Sequence, residues 1–250
     1  MKCSVTIKEA RFQNCSEGMG TVCTTGPLRT LHGVAMRYVE DHRRQTHRRI
    51  VENASYGLRL KGTKGLSVVD LMKLAGLTHG GFYNHFDSRA ALVGEAIAFA
   101  MDQMTERWKK LADGKANGER FEVLIADYLS PRHRDNPKQG CALPTLAVDV
   151  ARSGPSEQQA LASKLEKMID ALVELLPGEP VGQARQIATG VIATMVGSIV
   201  LSRAVGAGKF SDGILESGRR RFGVPHRECR RKASRRRRHA TAPSIQPWSR

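Results

Sequence analysis

Apolar positions recur every three or four residues along most of this chain, and strand-like alternation appears nowhere. In MRYVEDHRRQTHRRIVENASYGLRLKG, Ile50, Val51, Ala54, Leu58 and Leu60 keep helical spacing, and Gly62 and Gly65 end the element. LSVVDLMKLAG predicts a short helix with Ser67 at its N-cap and Asp70 closing the cap reciprocally. Its buried stripe is Leu71, Leu74 and Ala75. Gly76 ends it in the left-handed turn that glycine adopts cheaply. Thr78 can cap a further helix running to about His85. Asp87 or Ser88 caps the next, whose apolar side carries Leu92, Ala96, Phe99 and Trp108.

The pattern stays helical beyond residue 119. ERFEVLIADYLS is amphipathic and is broken by Pro131 and Pro137. ALPTLAVDVARSG comes next, ended by Gly154 and Pro155. Residues 156–176 place Leu161, Leu165, Met168, Ile169, Leu172 and Leu176 on one stripe, and 183–206 are rich in Ala, Gly, Ile and Val. The fold class read from this is all-α, with layers of helix on helix.

Both ends change texture. Residues 1–35 lack periodicity and read as a disordered extension; the new pattern at Met36 points to Met36 as the natural start. Residues 216–250 hold arginine runs and prolines and read as a basic disordered tail. Between them the expected division is an N-terminal helical domain over 36–100 and a longer helical domain over 101–215. The uncharged run 186–202 is too short and too rich in Thr and Ser for a membrane span. It reads as a buried helix, and no membrane partner is expected.

Net charge alters this picture less than its size suggests. It is +16 overall, yet the tail from residue 216 alone holds 12 Lys/Arg against 2 acids. The high charge mostly reports the tail, which raises nonspecific attraction to nucleic acid or acidic membrane. A protein binding those surfaces through its arginines is therefore the competing reading. Five cysteines, Cys3, Cys15, Cys23, Cys141 and Cys229, form no CxxC pair. No disulfide framework or zinc site is expected, and the compartment reads as reducing, hence cytoplasmic. No nucleophile elbow, phosphate-cradling loop or paired metal ligands appear, so neither enzymatic activity, nor a metal, nor a cofactor is expected.

The chemistry concentrates in AGLTHGGFYNHFDSRAAL. Two short helices joined by a tight glycine turn make a helix-turn-helix, whose second helix enters the major groove. Gly80 and Gly81 keep that helix thin, so its backbone can approach base edges or thymine methyls. Thr78 and His79 flank the bare patch. Tyr83, Asn84 and His85 offer polar groups along the groove, where phosphate oxygens lie. Phe82 and Phe86, four residues apart, share the inward face. Arg43, Arg44, Arg48 and Arg49 cluster on the preceding helix as candidate phosphate contacts.

The stretch LSVVDLMKLAGLTHGGFYNHFDSRAAL resembles the TetR/AcrR family of transcription regulators. Ala75-Gly76-Leu77 stands at that family's turn, Gly80, Phe82, Tyr83, His85 and Phe86 match its recognition helix, and Ser88 and Leu92 match the positions just after it. The resemblance implies that Ser67 is a phosphate-binding cap and that Arg89 replaces a phosphate-contacting lysine. Met72 departs from a small residue, His79 from a lysine and Gly81 from Thr, Ser or Ala, which implies sparse direct readout and partly indirect specificity.

The resemblance further implies a homodimer on a palindromic DNA operator and a small-molecule effector that releases it. The helices near 156–176 and 183–206 are the expected dimer surface, where Gly190, Ala193, Gly197 and Ser198 allow close approach. Met104, Trp108, Phe121, Tyr128 and Cys141 are weak effector candidates, since Met and aromatics at helical spacing more often form plain core.

Overall fold

The structure, a computed structural model, describes residues 29–176 and 180–224. The chain divides into two compact units, Met1–Arg43 and Arg44–Arg250. In the first, the described part is helical backbone from Arg29, upstream of Met36. The rest of residues 1–35, expected to be disordered, lies outside the described residues. The second unit holds all the other described residues.

Helix α1 (Arg29–Lys61) enters this unit at Arg44 and buries Ile50, Val51, Ala54 and Leu58, the spaced positions of the sequence; Leu60 of that set is exposed. Gly62 stops it, with φ +73° and its N–H donating to the Leu58 carbonyl at 2.8 Å. Helix α2 (Val68–Leu74) is launched by the expected capping box. Asp70 N–H donates to Ser67 Oγ at 3.2 Å, and Ser67 N–H donates to Asp70 Oδ2 at 2.9 Å. The Ser67 hydroxyl, donating to that carboxylate at 2.6 Å, and then the Ser67 N–H hold the Asp70 carboxyl below the usual carboxylate range. Leu71 and Ala75 are buried as the stripe requires, but Leu74 is exposed, and Met72 takes the inward place.

Gly76, at φ +71°, turns the chain into a 3₁₀ helix, His79–Asn84. An α-helix from Thr78 to His85 was expected. Thr78 has the extended backbone of a cap, but its hydroxyl makes no capping bond, and two glycines come close behind it. A first turn without a side-chain acceptor and with glycine's entropy cost winds tightly and briefly. Ser88, rather than Asp87, caps α3 (Arg89–Ala112), accepting Ala91 N–H at 3.1 Å.

The body is built from α3 with α4 (Asn117–Tyr128), α5 (Pro131–Asp135), a 3₁₀ turn at Pro137–Gln139, α6 (Leu143–Ala151), α7 (Pro155–Val173) and α8 (Val181–Ala204). The described residues contain no strand. Helix α7 packs along α3 and α8. Of the apolar stripe over 156–176, Met168, Ile169 and Leu172 are buried and Leu161, Leu165 and Leu176 half-buried.

Helix α9 (Lys209–Arg221) is the main departure. It runs well into the stretch expected to be a disordered tail, and Arg219 and Val224 are buried. Only residues from 225 onward lie outside the described part of that stretch. Polar clasps hold α9. Arg219 donates to the Leu129 carbonyl and, at 2.7 Å, to Glu216. Ser211 donates to the Ser202 carbonyl at 2.7 Å, and Arg134 donates to Asp212 at 2.6 Å. A Cβ on Gly218 would stand 2.7 Å from Ser198 Oγ, so only glycine lets α9 lie this close to α8.

Candidate nucleic-acid interface

The 3₁₀ helix is fastened from below by aromatic packing. Phe82 and Phe86 are buried and stack at 5.7 Å between ring centroids. The His47 ring of α1 stacks on Phe86 at 4.5 Å and is held by Glu95, 2.7 Å from its Nε2. The inward face thus fixes what the outward face presents.

Outward, Thr78, His79, Gly80, Tyr83 and Asn84 are exposed, and Gly81 and His85 are half-buried. Tyr83 is 70% exposed, while its ring lies edge-on against Phe82 at 5.2 Å and His79 at 6.1 Å. Tyr83 thus rests edge-on against one buried and one exposed ring and leaves most of its surface open. Nothing stands within 4 Å of where a Gly80 side chain would begin. A Cβ on Gly81 would meet only the Met72 methyl, at 3.8 Å. The glycine surface is therefore open, and the large Met72 fills the space beneath it.

Ser67 is exposed beside this rim, though its hydroxyl donates to Asp70 at 2.6 Å within the cap. Arg44, Arg48 and Arg49 are exposed on α1; Arg43, also exposed, belongs to the other unit. Arg89 does not join the rim. It is half-buried and its Nη2 donates to the carbonyls of Thr63 and Leu66, the latter at 3.0 Å. Through this nitrogen the guanidinium clasps the turn before α2. Sequence reasoning passed over Lys61, Lys64 and Lys73, all exposed around the α2 cap. The signal was available as charge patterning in LKGTKG and LMKLAG.

The effector candidates do not converge. Trp108 lines a cavity of about 410 Å³ with Lys110, Arg120, Ala171 and Glu174, and its indole N–H carries no protein partner. Met104 and Tyr128 border a separate cavity of about 90 Å³ near His133. Phe121 lines a third with Leu176, Ile187 and Phe222. Cys141 is fully buried; burial pushes its thiol pKa up, which makes it an unreactive thiol.

Helices α8 and α9 leave apolar surface uncovered. Val181, Ile187, Val200, Leu201 and Val205 are exposed, and Phe210 is 73% exposed. Ile187, Gly190, Thr194, Gly197, Leu201 and Ala204 succeed one another at helical spacing. By length and composition α8 is apolar enough to cross a membrane; here it packs on α6, α7 and α9.

No family model and no curated protein matches the chain. Solved structures do. A TetR transcriptional regulator from Chloroflexus aurantiacus J-10-fl superimposes with a TM-score of 0.61 at 20% identity, covering 74% of this chain and 98% of that one. A TetR-family transcriptional regulator from Cytophaga hutchinsonii gives 0.61 at 21% identity, over 72% and 95%. The reduced form of E. coli NemR gives 0.59 at 16% identity, over 70% and 95%. The all-α fold expected from the sequence is the fold these regulators have.

Proposed function

We propose that this chain, carrying the fold of the TetR-family regulators, is a sequence-specific DNA-binding regulator of transcription that acts as a homodimer. The observation that carries the reading is the two-faced 3₁₀ helix. Phe82 and Phe86 anchor it in the core, while Thr78, His79, Gly80 and Tyr83 stand clear of the protein. Glycine backbone approaches base edges, His79 and Asn84 read beside it, and Tyr83, His85, Ser67 and the α1 arginine Arg44 meet phosphates.

One such element makes few base contacts, so two must act together on half-sites about 34–36 Å apart. The uncovered apolar face of α8 and α9, with Leu161 and Leu165 of α7 still half-buried, supports pairing through the helices near 156–176 and 183–206. A small molecule that fits one spacing of the two reading elements better than the other would make the protein a ligand-responsive repressor of a palindromic operator. The Trp108 cavity, of about 410 Å³, supports the binding of such a molecule.

The test is selection of duplexes from a random pool by the full-length protein, followed by footprinting. The expected result is a palindrome. Tyr83→Ala should weaken every selected site alike by about fivefold to tenfold, the value of one neutral phosphate contact. Truncation after Val224, which spares the buried Arg219, should keep the sequence preference and lower only salt-sensitive background affinity. Loss of all binding on truncation would instead assign it to the arginine-rich tail.

A further inference from the structure

Behind the reading element the aromatic rings form one run. The His47 ring stacks on Phe86 with 4.5 Å between centroids, and Phe86 on Phe82 with 5.7 Å, both inclined by 28°. Phe82 meets Tyr83 edge-on at 5.2 Å, and Tyr83 meets His79 edge-on at 6.1 Å. The run thus starts on α1 and ends on the surface proposed to read DNA. Phe82 and Phe86 are buried, and His47 is half-buried.

His47 is fixed from two sides. One turn further on, Ile50 and Val51 sink α1 into the core, which sets the backbone at 47. Its Nε2 lies 2.7 Å from Glu95 Oε2 of α3. A carboxylate only accepts, so Nε2 carries a proton and donates it to this bond. The ring can turn away from Phe86 only by giving that bond up. The His85 ring lies beside it, tilted, at 6.1 Å.

The element that rests on this ring holds little shape of its own. It is six residues of 3₁₀ helix, with adjacent glycines at 80 and 81 and no capping bond from Thr78. Where it stands is therefore decided by what its phenylalanines pack against. We infer that His47 is the positioning residue of the reading element: held by Glu95, it seats Phe86 and, through Phe82, sets where the Tyr83 ring stands. The inference rests on the reading of residues 67–86 as the DNA interface, and it requires no contact between His47 and DNA. When a reading element is seated only part of the time, affinity falls by that fraction. Loosening the seat therefore weakens binding at atoms His47 never reaches.

The experiment is a double-mutant cycle in DNA affinity, read by fluorescence anisotropy of a labelled duplex recovered by selection with the full-length protein. His47→Leu, which removes both the bond and the flat face, should weaken binding about fivefold. In the Tyr83→Ala protein the same change should weaken it about twofold or less, because much of its effect passes through the missing ring. Glu95→Ala should weaken binding as His47→Leu does. Glu95→Gln, which keeps an oxygen for Nε2–H, should restore most of the affinity. A part in stability alone would give the same factor with and without the Tyr83 ring. A phosphate contact by His47 would do so too, and Glu95→Ala would then bind more tightly, having lost an acid beside the duplex. Either result overturns the inference, as does undiminished affinity in His47→Leu. Glu95→Ala, at an exposed side chain, carries the cycle if His47→Leu fails to fold. Selection that returns no preferred duplex overturns the DNA reading, and the inference with it.

Discussion

Acid should loosen the segment between α5 and α6 before it reaches the carboxylates, and the cause is His133. This side chain is buried, and its tautomer is set by its neighbours. Nδ1 lies 2.7 Å from the Tyr128 carbonyl, which only accepts, so Nδ1 carries the proton. Nε2 accepts the Cys141 N–H at 2.9 Å and must be bare. A second proton on Nε2 would face that N–H inside the protein. Burial, aided by the charges of Arg203 and Arg107 and opposed by the Tyr128 bond and Asp127, lowers the group from 6.5 to about 4.

As pH falls through 6.5, unfolded chains take up the proton and folded ones do not. Stability is complete above 6.5, declines as pH falls towards 4, and loses nothing further from this group below that. The full loss is on the order of 3 kcal/mol, at about 1.4 kcal/mol per pH unit between the two values. Urea unfolding of the protein and of His133→Gln, from pH 7.5 to 4 at fixed ionic strength, measures it. The variant should be less stable at neutral pH, having lost a fitted pair of hydrogen bonds. It should also lose about 3 kcal/mol less across the window. Asp70, Asp135 and Glu216, whose carboxyls are held low by hydrogen bonds, lose their contribution at lower pH and equally in both proteins. Equal decline in protein and variant would refute the assignment of the neutral tautomer.

The interface carries two further expected outcomes. Gly80 lies outside the left-handed region and faces open space, so Gly80→Ala should stabilise the fold by about 0.5 kcal/mol. Its methyl should nevertheless weaken binding to the selected palindrome; calorimetry and gel shift on one preparation check both signs. Leu201→Glu puts a charge at the centre of the uncovered α8 face, where Leu201 is 58% exposed. It should leave helicity intact and convert dimer to monomer in analytical ultracentrifugation, with operator affinity falling by about tenfold or more.

The helix-turn-helix was legible because its signals are local. Ser67 and Asp70 cap, Gly76 turns, and Phe82 and Phe86 share a face; each of these is dictated by neighbours within four residues, and the structure agrees. The length and tightness of the reading helix were not legible, because Thr78 has the right residue type for a cap without making the bond. Helix α9 was hidden for a different reason. Its buried face is Ser211, Leu215, Gly218 and Arg219, so no apolar periodicity marks it. The clasp made by Arg89 was hidden too, since nothing in sequence shows that carbonyls 23 and 26 residues earlier would engage its guanidinium. The tie between His47 and Glu95 was invisible on the same ground, as the two lie 48 residues apart.

Met72 beneath Gly81 has a bearing on how this protein could change its target. The bulk sits here one layer down, in α2, and the methionine methyl lies 3.8 Å from where a Gly81 side chain would begin. That is ordinary contact distance, so a methyl at 81 fits without change at 72, and a larger side chain can grow only away from the methionine, on the outward face, where a single exchange can alter what the surface recognises.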